Sequence, residues 1–154
     1  MVASGYRVSL HVKPAYARFV RVRALAGLAR KVLAAEEVEE PNALSIVVTD
    51  DPTLRTLNRW YRGEDTPTDV LSFSLVANDG FLVPPEHLRE IGEIVISYPT
   101  AARQARSAGH STRDELAHLL VHGVLHLVGY DHEQPRETKA MRAREEALLG
   151  RAVH

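Results

Sequence analysis

Residues 122–132 read His-Gly-Val-Leu-His-Leu-Val-Gly-Tyr-Asp-His, with histidines at positions 122, 126 and 132. Residues four apart lie on the same face of a helix, so His122 and His126 can aim their imidazoles at one point. Gly129 can take the left-handed conformation that ends a helix, and the chain reversal would bring His132 back over the first two histidines. The stretch therefore predicts a helix, a tight turn and a three-histidine metal site. Structural zinc sites normally have four protein ligands, so three indicate a catalytic metal with a position left for water.

His118 lies one helical turn before His122, on nearly the same face. It could be a fourth ligand, a residue that orients a ligand, or an ordinary packing residue. An imidazole that binds a metal usually needs a partner for its other nitrogen. We therefore interpret His118 as an orienting or packing residue.

Zinc peptidases of the His-Glu-x-x-His-x-x-Gly-x-x-His type share this histidine spacing. In those enzymes the glutamate after the first histidine is the general base, whereas this chain has Gly123 at that position. Because glycine cannot accept a proton, the sequence argues against a peptidase mechanism.

The run from His122 to His132 closely resembles the signature of the YbeY-type family of bacterial rRNA maturation factors, which are single-strand-specific, metal-dependent endoribonucleases. Two further stretches, 57–73 and 92–96, are similar to the second and third motifs of that family and stand in the family's order. The residues that carry the similarity are Leu57-Asn58, Tyr61-Arg62, Asp65-Thr66-Pro67-Thr68-Asp69-Val70-Leu71-Ser72-Phe73 and Gly92-Glu93-Ile94-Val95-Ile96.

The resemblance implies one zinc ion per chain on His122, His126 and His132, and a catalytic arginine at Arg62. It also implies a single-stranded RNA substrate, specifically an rRNA precursor, with the ribosome or ribosomal proteins as partners. The function expected on this basis is endonucleolytic cleavage in rRNA maturation and ribosome quality control.

Judged from its own surroundings, Arg62 has two interpretations. We expect it in a charged, turn-rich segment at 62–69, where a planar guanidinium can bridge two phosphate oxygens. It could equally form a surface salt bridge with Glu64 or Asp65. The family resemblance favours the catalytic interpretation.

Composition is consistent with a single globular domain. A chain of 154 residues, 45% of them hydrophobic, is long enough to bury one core, and we expect one metal-dependent endoribonuclease domain across residues 1–154. The chain lacks cysteine, which excludes disulfides and thiolate ligands. Residues 1–10 have no apolar core of signal-peptide length, and no later segment is apolar enough to span a bilayer. We expect a cytoplasmic protein that contacts neither membrane nor DNA.

The net charge of −1 gives no general attraction to nucleic acid, so RNA binding would need local basic patches. Two sets of basic residues are candidates, one on the first long helix and one before the metal-binding helix. Each set is more often a solvated surface than a phosphate-binding groove. The residues are Arg18, Arg21, Arg23, Arg30 and Lys31 in the first set, and Arg103, Arg106 and Arg113 in the second.

Periodicity predicts an α+β fold with a small mixed sheet of about four strands packed against helices, one of them a metal helix like those of zinc hydrolases. Residues 78–90 are predicted to form a long loop, either a lid or a disordered surface segment. Asp51 is expected to cap the second helix, and Ser111 or Thr112 the metal helix. The expected strands are 6–12, 44–49, 71–75 and 93–97, and the expected helices are about 15–35, 51–61, 99–108, 112–128 and 134–149.

Two other classes of protein remain as alternatives: a non-catalytic ribosome assembly factor with structural zinc, and a metallopeptidase whose base comes from elsewhere. The three-ligand site argues against the first and Gly123 against the second. In the endoribonuclease, Asp131 or His118 could relay protons, or the metal-bound hydroxide could attack unaided. Imidazole ligands also accept nickel or copper, so the sequence leaves the metal open.

Overall fold

The computed structural model describes residues 5–40, 42–74, 89–131 and 133–153. Those ranges contain four strands, five α-helices and one short 3-10 helix. The strands are β1 (Tyr6–Val12), β2 (Asn42–Thr49), β3 (Val70–Ser74) and β4 (Arg89–Ser97). The helices are α1 (Val22–Ala35), α2 (Asp51–Arg62), α3 (Tyr98–Ala108), α4 (Thr112–Leu127) and α5 (Pro135–Leu149), and the 3-10 helix is Pro14–Phe19.

The strands form one mixed sheet in the order β1-β2-β4-β3. β1 pairs in parallel with β2, β2 pairs in parallel with β4, and β3 pairs antiparallel with β4 at the sheet edge. A mixed four-stranded sheet packed with helices confirms the predicted α+β class.

Each face of the sheet carries its own hydrophobic cluster, because side chains alternate between the faces along a strand. Ile94 and Ile96 face the larger cluster, which α1 and α4 cover, whereas Val95 faces the smaller cluster under α2. Nine residues of α4 are buried, so this helix lies in the interior and carries its histidines with it. No helix among the described residues is long and apolar enough to cross a membrane.

The helix predicted at about 15–35 is two separate elements. The 3-10 helix ends at Phe19, and Val20 is extended and buried before α1 begins at Val22. Rings of Tyr16 and Phe19 stack on Tyr98, with centroids 4.8 and 6.0 Å apart respectively. These contacts with a distant residue hold the first turns apart from α1, and apolar spacing along the chain does not reveal them.

The predicted cap of α2 was wrong by one residue. Asp50, not Asp51, accepts the main-chain N–H of Thr53, so Asp51 is the first helical residue. The carboxylate of Asp51 instead accepts hydrogen bonds from Ser97 and Thr100, which tie α2 to the start of α3.

Ser111 rather than Thr112 caps α4, with its Oγ 3.1 Å from the main-chain nitrogen of Asp114.

β4 begins before the predicted position, because residues 89 and 90 pair with residues 42 and 43 of β2. The predicted loop at 78–90 therefore overlaps this strand, and its remaining residues lie outside the described ranges.

Candidate metal centre and cleft

The two described histidines of the motif converge on α4. His122 and His126 are one turn apart, and their Nε2 atoms lie 3.1 Å from each other. The rings are nearly perpendicular, with centroids 4.6 Å apart and an interplanar angle of 81°. Both side chains are half-buried, so the two nitrogens meet at a place that solvent can reach.

This spacing fits a shared metal ion. Two nitrogens that each lie about 2.0 Å from one zinc ion at a tetrahedral angle are about 3.3 Å apart. The observed 3.1 Å differs little from that distance. Among the described residues no group of three or more histidine, cysteine, aspartate or glutamate side chains is arranged to hold a metal ion. The third predicted ligand, His132, lies outside the described ranges.

The chain reverses after α4 in the way the glycine predicted. Gly129 has a φ of 111°, in the region that side-chain-bearing residues rarely adopt. The N–H of Gly129 donates to the carbonyl of His126, and the N–H of Tyr130 donates to that of Leu125. This is the Schellman pattern that closes a helix end. The hydroxyl of Tyr130 also donates to Glu36, which anchors the turn to the end of α1.

Glu145 of α5 holds the imidazole of His122 from the side opposite the convergence point. Its Oε2 lies 2.7 Å from Nδ1 of His122, and its Oε1 lies 3.2 Å from Nε2 of His118. Burial raises the pKa of Glu145, but hydrogen bonds from the two histidines outweigh it and lower the pKa from 4.5 to about 2. A carboxylate can only accept, so this contact favours the neutral tautomer of His122 that carries its proton on Nδ1 and leaves a lone pair on Nε2 for a metal.

His118 is thus buried and in contact with the same carboxylate as His122. The sequence interpreted His118 as an orienting or packing residue, and in the structure it contacts the second oxygen of Glu145. Sequence reasoning did not identify Glu145, because α5 mixes charges of both signs and such a helix is typically solvated. The available signal was its position between Met141 and Leu148, which are buried on the same face of α5.

The histidines open into a cavity of about 280 Å³ along the edge strand β3. Arg62 lines this cavity together with His122 and His126. Asp69 is the one acidic residue among the described lining side chains. The rest of the lining is Thr68, Val70, Ser72, Ser74 and Leu127.

Arg62 is the last residue of α2 and not a loop residue, which corrects the expectation from the sequence. Gly63, with a φ of 71°, caps the helix immediately after it. Asp65, one of the two partners considered for a surface salt bridge, pairs with Arg55 through two hydrogen bonds of 2.9 and 3.0 Å. The exposed guanidinium of Arg62 is therefore placed at the cavity without Asp65 as its partner.

The two sets of basic residues considered for RNA binding lie away from this cavity. Arg103 pairs with Asp51, and Lys31 donates to the carbonyl of Leu148. Arg21, Lys31 and Arg113 line a different groove, between α1, α4 and α5. Arg62 is the basic residue that the described structure brings to the histidines.

Comparison with known proteins finds the same family by its model and by individual relatives. The family model described as Endoribonuclease YbeY matches residues 16–152. A protein named Endoribonuclease YbeY from Roseiflexus castenholzii is 46% identical over 144 residues, covering 93% of this chain and 91% of that protein. One of the same name from Chloroflexus aurantiacus is 51% identical over 123 residues, covering 79% and 80%.

A solved structure shares the fold. The solution structure of TM1509 from Thermotoga maritima matches with a TM-score of 0.58 and covers 93% of this chain and 89% of that one. Its sequence identity is 23%, so this similarity concerns the fold alone.

Proposed function

This chain belongs to the Endoribonuclease YbeY family, and from that premise we propose that it is a metal-dependent hydrolase that cleaves single-stranded RNA internally. The observation that carries the proposal is the convergence of the His122 and His126 Nε2 atoms, 3.1 Å apart, in a cavity that Arg62 also lines. One cavity thus combines two metal-binding nitrogens with a cation suited to a phosphodiester.

His122, His126 and His132 would hold the metal, and zinc is the ion that we propose. Three imidazoles without thiolates are typical of catalytic zinc. When bound, such an ion supplies Lewis acidity and lowers the pKa of a coordinated water to about 7. The turn at Gly129 supports the inclusion of His132, because it begins the reversal that a third ligand from this segment requires.

Arg62 would bind the scissile phosphate. Its guanidinium can donate two parallel hydrogen bonds to phosphate oxygens and neutralise the charge that develops during phosphoryl transfer. Gly63 ends α2 directly after Arg62, so the side chain projects from the exposed end of a helix whose buried residues are Leu54 and Asn58. Ser72 and Ser74 on β3 add hydroxyl groups along the same cavity.

The shape of the cavity favours unpaired RNA. It lies along the edge strand β3 and its lining is mostly polar, so a flexible strand can enter with its backbone toward Arg62. A duplex would have to bring a rigid pair of backbones to histidines that are half-buried. We therefore propose single-stranded segments of rRNA precursors as substrates, with the ribosome or its proteins as partners, and one endoribonuclease domain as the acting unit.

The position of Gly123 supports a nuclease over a peptidase. The glycine faces the sheet, where an added Cβ would lie 2.9 Å from Ile94 and 3.1 Å from Ser72. A glutamate base at that position would have no space for its Cβ. An assembly factor with purely structural zinc would have no need of an open cavity at its metal.

The test combines metal content with cleavage. We expect one zinc ion per chain by mass spectrometry, and cleavage of a single-stranded RNA that a chelator abolishes. His126→Ala should lose both the zinc and the cleavage, whereas His11→Ala, in β1 and outside the cavity lining, should keep both. The same RNA annealed into a perfect duplex should be cleaved more slowly.

Three results would contradict the proposal. Stoichiometric zinc in His126→Ala would remove this residue from the metal site. Equal rates on the duplex and on its separated strands would exclude single-strand specificity. A parent protein that binds zinc and cleaves no single-stranded RNA would favour the assembly factor.

A further inference from the structure

A series of side-chain contacts continues from His122 into the interior of the protein. Glu145 contacts both His122 and His118. Beyond His118, the Oε1 atom of Glu115 lies 4.0 Å from the His118 Nδ1 atom, and the Oε2 atom of Glu115 lies 2.7 Å from Nε2 of His110. We call His110, Glu115, His118 and Glu145 the inner network.

The inner network is costly to bury. Glu115 is 0% exposed and Glu145 is 4% exposed. A buried carboxylate must be compensated by hydrogen-bond donors, and an apolar residue of similar volume is often at least as good for stability. Position 145 lies on the buried face of α5 between Met141 and Leu148, where a leucine would suit the packing. Packing alone therefore does not explain a carboxylate at this position.

We propose that Glu145 is a positioning residue for the metal centre, and that His118 holds Glu145 in the orientation this task requires. The inference rests on the proposed function, because it assigns Glu145 a task at the metal site of that function. The geometry that carries it is one carboxylate with a different histidine on each oxygen, at 2.7 and 3.2 Å.

The physical reason lies in the side-chain torsion of histidine. Rotation about χ2 is soft and roughly two-fold, so an unrestrained imidazole can turn its Nε2 atom away and present a ring carbon to the cavity instead. The contact with Glu145 fixes the ring of His122 so that its Nε2 faces Nε2 of His126. The negative charge one ring away from the metal position also makes His122 a better donor to a dication.

His118 has the complementary task on the second oxygen. Without it, the Oε1 atom of Glu145 would be buried without this hydrogen bond, and the carboxylate could rotate away from His122. Glu115 lies on the far side of His118 from Glu145 and contacts His110, which belongs to the turn between α3 and α4. The inner network thus links the metal helix to α5 and to that turn.

The test is zinc affinity, measured by competition with a chromogenic chelator on the full chain. Glu145→Gln keeps the shape of the side chain and removes its charge, and it should weaken zinc binding by roughly 10- to 100-fold. Nitrogen-15 NMR of the metal-free protein should show His122 as one tautomer in the parent and as a mixture in the variant. Glu146→Gln, the neighbouring residue on α5, is the matched control and should bind zinc like the parent.

Two more variants keep the inference testable if Glu145→Gln does not fold. Glu145→Asp keeps the charge but is too short to reach both histidines, so it should also weaken zinc binding. His118→Gln should weaken binding less than Glu145→Gln does, because Glu145 keeps its charge and its contact with His122. Folding of each variant is checked by circular dichroism.

The outcomes separate this inference from the proposed function. Parent-like zinc affinity and a single His122 tautomer in folded Glu145→Gln would overturn the positioning role and leave the nuclease intact. A parent protein that binds no zinc would overturn the proposed metal site itself. Weaker zinc binding in Glu145→Gln and unchanged binding in Glu146→Gln would support the inference, whatever the RNA substrate is.

Discussion

The Oγ atom of Ser72 donates a hydrogen bond of 3.0 Å to the carbonyl oxygen of Gly123. The bond joins the edge strand β3 directly to the backbone of α4. It forms because position 123 has no side chain: an added Cβ would lie 2.9 Å from the Ile94 Cγ2 atom and 3.1 Å from Ser72 Oγ. The glycine after the first histidine therefore sets how closely the metal helix approaches the sheet.

Gly123→Ala should destabilise the protein. Alanine gains about 1 kcal/mol over glycine in a helix, whereas forcing a methyl group into a packed core typically costs about 1–3 kcal/mol. Ile94 is fully buried and β-branched, so it cannot move aside easily, and the Ser72 hydrogen bond would also lengthen. We expect a lower free energy of unfolding in urea titrations.

Gly27→Ala is the matched control for that substitution. Gly27 is also within a helix, α1, but no atom lies within 4 Å of where its Cβ would be. This variant should gain about 0.5–1 kcal/mol, because only the helix preference acts. If both alanine variants changed stability by the same amount and in the same direction, close packing at Gly123 would not be the cause.

Asp50 should make the stability of the protein fall in acid. Hydrogen bonds from Lys13 and from Thr53 lower its pKa from 3.8 to about 2. The folded protein therefore favours the carboxylate, and the contribution is complete above about pH 4 and is lost as the pH falls from about 4 to 2. Unfolding free energy measured across this range should decrease, and Asp50→Asn should flatten the part of the decrease that Asp50 causes.

A second substitution separates the charge of Asp50 from its role as helix cap. Asparagine can still accept the N–H of Thr53, so at neutral pH Asp50→Asn should retain most of the capping energy. Asp50→Ala removes the acceptor and should cost about 1 kcal/mol. If the two variants lost the same unfolding free energy at pH 7, the stabilisation by Asp50 would come from its ion pair with Lys13 and not from the helix cap.

The fold was predictable where a local pattern decides it. The alternation from Tyr6 to Val12 predicted the bounds of β1, because one face of that strand packs against the core and the other is exposed. The prediction was wrong where contacts between distant residues decide the bounds of an element. The helix from about 15 was split by rings that stack on Tyr98, and β4 was longer because β2 pairs with its first residues.

The site was predictable to the extent that it lies on one helix. The spacing of His122 and His126 and the turn at Gly129 are local, and the structure shows both. Glu145 reaches His122 from 23 residues away, and no local pattern encodes that contact. Arg62 was misplaced in a loop because the helix ends one residue later than expected, a normal error for helix ends.

Arg62→Lys should keep the fold and the zinc content and cleave single-stranded RNA far more slowly. Lysine keeps the positive charge but loses the planar pair of donors, and losing one such transition-state contact typically costs about a hundredfold in rate or more. Arg59→Lys on the same helix is the control. Arg59 lines a different cavity with Asp65, so this variant should cleave like the parent. Single-turnover cleavage and melting temperature are measured for all three proteins. A zinc-loaded Arg62→Lys protein with the parent rate would remove the bidentate contact from the mechanism.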